Sequence, residues 1–389
     1  MIRLSASFPA HITETLKTCL HRGIRHPVAA LLFALPMSTL AAPDTALKPG
    51  REYLAVANYP NQLQIIDAVS DVLYKTCPLP DDFGPALLQI SPDRTKAYIL
   101  NNHYQDIYGI ELDSCKPVFH ASLQQAAGER VRAMFSIALS PDGKSVYTIV
   151  NRTRIGLDHY EVLTPKLLVF DTASGMDAKP VRSFDAPRQT TLIQVGNDGS
   201  LYVLGPDVYK VDPATGQFEV ALTLRNWNRP GHGAPDVLYP WSQQRPQNTF
   251  SFLYTMPRFK DETQDMATAD VVYGIVDIDL KTGKASRIDF ADFTEVLFTG
   301  AISPKNPNHV FGVLNHLAKY DIREKKQIGL ADLDHTYYVV SLNTEGTKAY
   351  LAGALNDVAV FDTDSLRQLK TIKLPGGDMG TTTPQIFIR

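Results

Sequence analysis

One phrase recurs along this chain: a tight turn followed at once by a β-branched and aromatic run. Ser140-Pro-Asp-Gly-Lys-Ser-Val-Tyr147-Thr-Ile-Val-Asn151 is the clearest copy. Ser91-Pro-Asp-Arg-Thr-Lys-Ala-Tyr98, Asn197-Asp-Gly-Ser-Leu-Tyr202 and Asn343-Thr-Glu-Gly-Thr-Lys-Ala-Tyr350 follow the same plan. Pro presets φ, Asp bonds the backbone ahead of it, and Gly accepts positive φ, so the first part is a turn. The residues after it favour an extended strand. A second motif is a strand ending in an acid: Leu63-Gln-Ile-Ile-Asp67, Ile107-Tyr-Gly-Ile-Glu-Leu-Asp113, Leu167-Leu-Val-Phe-Asp171, Val208-Tyr-Lys-Val-Asp212, Ile275-Val-Asp-Ile-Asp279, Leu317-Ala-Lys-Tyr-Asp321 and Val358-Ala-Val-Phe-Asp362. These seven copies lie 46, 58, 41, 67, 42 and 41 residues apart.

A period near 40–45 residues built only of short strands defines a β-propeller with four strands per blade. No sustained helical period is present, which excludes the helical solenoids of similar repeat length. The expectation is therefore an all-β, seven-bladed propeller of four-stranded antiparallel blades, with strands A to D running from the axis outward. Residues 53–57 open the ring with a B-type strand, and residues 385–388 repeat the A-type strand of residues 87–90. The C-terminal strand should thus join the N-terminal blade and close the ring, leaving no exposed edge there.

Ahead of the repeats, Arg22, Arg25 and His26 precede an apolar run at residues 28–35 and a small-residue stretch at 38–42. A basic region, a short apolar core and a small-residue site read as an export signal removed near Ala41 or Ala42. Residues 1–42 are then the leader and 43–389 a single propeller domain, with a periplasmic location. Net charge −3 and the lack of a basic stretch argue against nucleic acid, and no apolar run is long enough to span a membrane.

Cys19 leaves with the leader, so Cys77 and Cys115 form a possible disulfide in an oxidising compartment. The strand phasing, however, puts Cys77 near one end of its blade and Cys115 at the other end of the next. A disulfide needs Cα atoms within about 7 Å, so phasing and bond stand in conflict.

The copies differ where function is expected. If strands alternate in direction, the B–C and D–A connections emerge on one face, here the loop face, and the short turns on the other, the turn face. The long spacings place three insertions on the loop face: residues 152–166, 225–247 and 256–270. They contain Tyr160, Trp227, Asn228, Tyr239, Trp241 and Phe259, an interface-type composition. Three clusters that set His beside Tyr join them: Asn102, His103 and Tyr104; Asp158, His159 and Tyr160; His335, Tyr337 and Tyr338. Each is a candidate lining for a pocket or partner, or alternatively ordinary turn chemistry with tyrosines stacked beneath. There is no GxSxG, HExxH, Walker or GxGxxG motif, no CxxC or CxxCH, and no metal-ligand spacing, so no catalytic residue, metal or cofactor is expected on this chain.

Several loop stretches resemble a known family. They are Tyr74-Lys-Thr-Cys77 with Leu79-Pro80-Asp, Leu100-Asn-Asn-His-Tyr104, Glu111-Leu-Asp-Ser-Cys-Lys116, Leu224-Arg-Asn-Trp-Asn-Arg-Pro230, Asp265-Met-Ala-Thr-Ala-Asp270, Leu333-Asp-His-Thr-Tyr-Tyr338 and Lys373-Leu-Pro-Gly-Gly-Asp-Met379. Together they are similar to the β subunit of quinohemoprotein amine dehydrogenase, an exported YVTN-repeat propeller. That resemblance implies a periplasmic heterotrimer oxidising primary amines to aldehydes. A small γ subunit would carry cysteine tryptophylquinone, and an α subunit two c-type haems that pass electrons to an external carrier. The present chain would bind no cofactor and help enclose the site. The rival readings are an exported scaffold propeller and a self-sufficient lactonase-type hydrolase. The second calls for acidic or His residues on the innermost strands, which are instead mostly apolar with Gln.

Overall fold

The computed structural model describes residues 46–389 apart from 83, 238–248 and 381. The proposed leader and its boundary with the propeller, together with Tyr239 and Trp241, lie outside the described residues. Among the described residues the strands group into seven sheets, all with an A–B–C–D core; six have four strands and that of blade 3 has two further short strands. Blade 1 consists of Gln385–Ile388, Glu52–Asn58, Gln62–Asp67 and Val72–Pro78; blades 2 to 7 span residues 88–122, 138–185, 192–222, 236–292, 297–332 and 339–373. The seven-fold count and the ring closure both agree with the repeat pattern. Tyr53 pairs with Phe387 and Leu54 with Ile386 across the seam.

Why the inner strands read as almost unbroken apolar runs follows from where their two faces go. Leu54 and Val56 pack toward blade 7, whereas Tyr53, Ala55 and Ala57 pack toward blade 2. Both faces are buried, so alternation of polar and apolar residues is lost. Outermost strands keep it: Lys326–Asp332 alternates exposed with half-buried positions. Among the described residues the core accordingly divides into seven clusters, one per interface between neighbouring blades. The repeated tyrosine serves that packing, since Tyr98, Tyr147, Tyr202 and Tyr350 each enter the interface with the following blade.

The repeated acid has an equally local cause. Its carboxylate accepts the backbone N–H two or three residues ahead, from Val69 to Asp67, Ala173 to Asp171, Ala214 to Asp212, Lys281 to Asp279, Arg323 to Asp321 and Ser365 to Asp362. These bonds close the C–D turn and hold the Asp212, Asp279, Asp321 and Asp362 carboxyls below the usual range. Blade 2 departs from the expected phrase. Glu111 occupies the acid's register, with Cys115 N donating to its carbonyl, and Asp113 instead binds Leu47 N and Arg389.

Two insertions expected as loops are largely strand. The second strand of blade 3 runs on as Ser145–Ile155 and forms a ribbon with Tyr160–Val162 and, from the preceding D–A connection, Glu129–Arg132. In blade 5, Thr249–Arg258 and Asp270–Asp279 make one long hairpin, leaving a loop of only residues 259–269. The β-branched and aromatic residues of these segments continue the ladder, and Met256, at the start of the expected loop, is fully buried.

The conflict over the cysteines dissolves in three dimensions. Cys77 and Cys115 are disulfide-bonded with Cα atoms 5.2 Å apart, and the strand phasing also holds. Sheet twist of roughly 20–25° per strand pair accumulates to about 60–75° across a blade. The outer strand of blade 1 therefore lies across the flank of blade 2, and Cys77 faces the cluster that Cys115 covers.

Candidate functional site

Antiparallel order from the axis outward puts every B–C and D–A connection on the loop face. The blade 3 ribbon, the blade 5 hairpin and the connection between blades 4 and 5 rise there, but that connection ends at residue 235: Asp236–Val237 is already the innermost strand of blade 5, so the expected insertion 225–247 is not one loop-face connection. Where blades 7, 1 and 2 meet, that face also carries two adjoining hollows.

The smaller hollow, about 150 Å³, is lined by Tyr59, Gly84, Pro85, His103, Tyr104 and Gly380. Asn102, His103 and Tyr104 sit at its rim with φ of 48°, 55° and 66°. Three consecutive side-chain-bearing residues in the left-handed region are costly, at roughly 1–2 kcal/mol each, and such conformations concentrate at functional sites. The turn is held from several sides. Ala133 N donates to Tyr104 O at 2.9 Å, and Asn102 Nδ2 donates to the Asp106 carboxylate, which also bonds His120 Nε2 at 3.0 Å. Tyr59 lies flat against Gly84: a Cβ there would come within 2.6 Å of its ring, so only glycine fits. Burial, with Tyr104 and Asp378 adding to it, raises the Tyr59 phenol pKa and keeps it a neutral donor.

The larger hollow, about 420 Å³, is lined by His335, Thr336, Tyr338, Leu355, Asp378 and Gly380. His335 is fixed through both nitrogens, Nε2 to Asp357 at 2.9 Å and Nδ1 to the Thr336 carbonyl at 2.9 Å. Asp357 is only 4% exposed and also takes Lys373 Nζ at 2.9 Å. Asp378 accepts Leu355 N at 2.7 Å and Gly380 N, so its carboxylate is oriented by the backbone. Gly380 lines both hollows. The result is a phenol, imidazole and carboxylate surface on rigid supports, suited to hydrogen-bonding a polar ligand or a docked chain.

The candidates named from sequence thus divide. His103, Tyr104, His335 and Tyr338 line the hollows, while Asn102 shares the turn but points its amide at Asp106. Tyr337 does not line them; it is buried between blades 6 and 7 beneath His335, with ring centroids 4.1 Å apart. Asp158, His159 and Tyr160 lie at the ribbon of blade 3, where Tyr160 is 71% exposed beside a fully exposed Leu157. Trp227 serves packing, with Arg287 3.9 Å above its ring and Tyr254 at its edge, while Asn228 is exposed. Trp241 lies outside the described residues. Tyr59, Gly84, Asp378 and Gly380 were missed, because nothing in a turn's own sequence tells which other turns face it. Among the described residues no group of three or more His, Cys, Asp and Glu could hold a metal.

Replacing His103 with Gly tests the strained turn. The variant should be more stable by roughly 1 kcal/mol, since glycine removes the left-handed penalty. A rise in the urea midpoint at unchanged slope is the expected reading; a fall would show that the imidazole holds the turn.

Fold and face together define a seven-bladed propeller elaborated on one side. No protein-family model matches the chain, and comparison with curated proteins finds no match. Among solved structures it is similar in fold to the hydrazine synthase of Kuenenia stuttgartiensis, with 14% identity, TM-score 0.50, and coverage of 81% of this chain and 90% of that one. It is likewise similar to a protein from Lactobacillus plantarum, with 13% identity, TM-score 0.51, and coverage of 87% and 99%. At such identities the likeness concerns the fold alone.

Proposed function

We propose that this chain is the propeller subunit of a periplasmic quinohemoprotein amine dehydrogenase, acting as a docking and enclosing partner rather than as the carrier of the redox groups. One observation carries the reading. Of the segments that resemble that family's β subunit, those at residues 79–81, 100–104, 224–230, 265–270, 333–338 and 373–379 belong to loop-face connections or the strand ends beside them, whereas residues 111–116 form the C–D turn of blade 2 on the other face. A generic scaffold propeller has no reason to concentrate its distinctive residues on one face.

In this reading the γ subunit, carrying cysteine tryptophylquinone, seats over the hollows, and the dihaem α subunit lies beside it. The chain contains no CxxCH, so its residues do not suit covalent haem, and no electron-transfer step runs through it. The partner's quinone, when bound, would supply an electrophilic carbonyl for a primary amine. This chain supplies walls that exclude water, His335 among them, and oriented groups, His103, Tyr104 and Asp378, that fix the docked surface. Primary amine enters at the subunit boundary and leaves as aldehyde and ammonia, with the electrons passing to an external carrier.

The isolated chain is expected to show no dye-linked oxidation of primary amines. Purified from its native host, it should travel as a haem-coloured complex. Turnover by the chain alone, or a colourless single chain at native levels, would overturn the proposal.

A further inference from the structure

The blade 3 ribbon has an outer face that its own chain leaves uncovered. Cross-strand register sets Arg130 and Val162 on either side of Thr153, and Tyr160 opposite Ile155. Arg132 lies two residues from Arg130 along the same strand. Directly opposed residues and alternate residues of a strand share a face, so all six stand on one side. Ile155 is 42% exposed, Tyr160 71% and Val162 62%, and both arginines are exposed.

The inner face is fully used. Val131 enters the core cluster between blades 2 and 3. Arg152 forks onto the buried Glu129 at 3.1 and 2.9 Å, and Arg154 donates to Glu161 at 2.6 Å. A bidentate bond of this kind fixes both partners, so the ribbon stands as a rigid arm. Its strand carboxylates are spent on that inner side. Among the described residues the Arg130 and Arg132 side chains enter no ion pair, and no carboxylate shares their face.

Composition and position point to one kind of occupant. Exposed Ile and Val set among Tyr and Arg match the centre of a protein interface, and the unpaired guanidinium groups call for acidic groups on the partner. A lipid surface fits less well: Asp158 and Glu161 follow the exposed Leu157 at the tip, where anionic headgroups would repel them. The ribbon is also rooted at the smaller hollow. Ala133, next to Arg132, donates its N–H to the Tyr104 carbonyl at 2.9 Å, and Phe135 meets the Tyr104 ring edge-on with centroids 6.0 Å apart. A body seated over that hollow therefore has the arm beside it.

We infer that the outer face of the blade 3 ribbon docks the quinone-bearing γ subunit, through an apolar patch with an acidic rim on that subunit. The inference rests on the amine dehydrogenase reading and adds a named contact to it. The test uses the complex purified through this chain from its native host, with quinone and haem measured per chain. Arg130→Glu with Arg132→Glu, and separately Tyr160→Thr with Val162→Thr, should each weaken retention of the quinone-bearing subunit at least about tenfold. The melting temperature of the isolated chain should stay unchanged, because these side chains are exposed. If the charge reversal lowers it, Arg130→Gln with Arg132→Gln takes its place, with the same loss expected. A complex with quinone and haem that every variant retains would overturn this inference and leave the reading standing, whereas an unaltered chain that purifies alone would overturn both. Loss of haem with quinone retained would also overturn the inference, as would binding to phosphatidylglycerol vesicles that the same variants abolish.

Discussion

A chain ending at Pro384 is expected not to accumulate as a folded protein. The four-residue strand Gln385–Ile388 is short, but it is the innermost strand of blade 1 and is paired along Glu52–Leu54 and Ala55. Ile386 belongs to the cluster between blades 7 and 1, and Phe387 to that between blades 1 and 2. Their loss opens two of the seven interfaces at once. Large-to-small changes at such sites cost about 2–5 kcal/mol each, so the sum approaches a typical total stability of about 5–15 kcal/mol. It also bares the edge of Glu52–Asn58, a template for aggregation. Soluble yield and thermal unfolding of the truncated chain measure this. A truncated protein that melts within a few degrees of the full chain would refute the closure argument.

Reduction should produce the next largest effect. The Cys77–Cys115 bond closes a loop with a sequence separation of 38, for which chain entropy alone gives roughly 4 kcal/mol of stabilisation. The bond ties blade 1 to blade 2 on the side away from blade 7, so it reinforces the same blade that the C-terminal strand completes. Urea unfolding with and without reductant should differ by about 2–4 kcal/mol, and a Cys77→Ala, Cys115→Ala double variant should match the reduced protein. Equal midpoints in the two conditions would mean that the reduced chain holds this seam by packing alone.

Much of this is legible in the sequence. The turn chemistry and the acid that ends each third strand, an Asp in six blades and Glu111 in blade 2, act within five residues, so seven copies announce seven blades. Even the closing strand could be named, because it repeats a segment whose partner was missing. The second acid motif misled at Asp113, where Glu111 holds the register: two acids two residues apart cannot be told apart by pattern. The insertions misled too, since a loop rich in Thr, Val and Tyr can simply lengthen the hairpin that it interrupts.

The amino-acid order by itself determined the number of sheets and the face that most connections occupy, because those depend on local turns and on the alternation of strand direction; it did not show that the innermost strand of blade 5 starts inside the expected insertion, at Asp236. Tertiary structure alone decided which connections meet. Tyr59, Gly84, Tyr104 and Gly380 come from distant parts of the chain and converge only because the ring closes, and Cys77 reaches Cys115 only because the sheet twists.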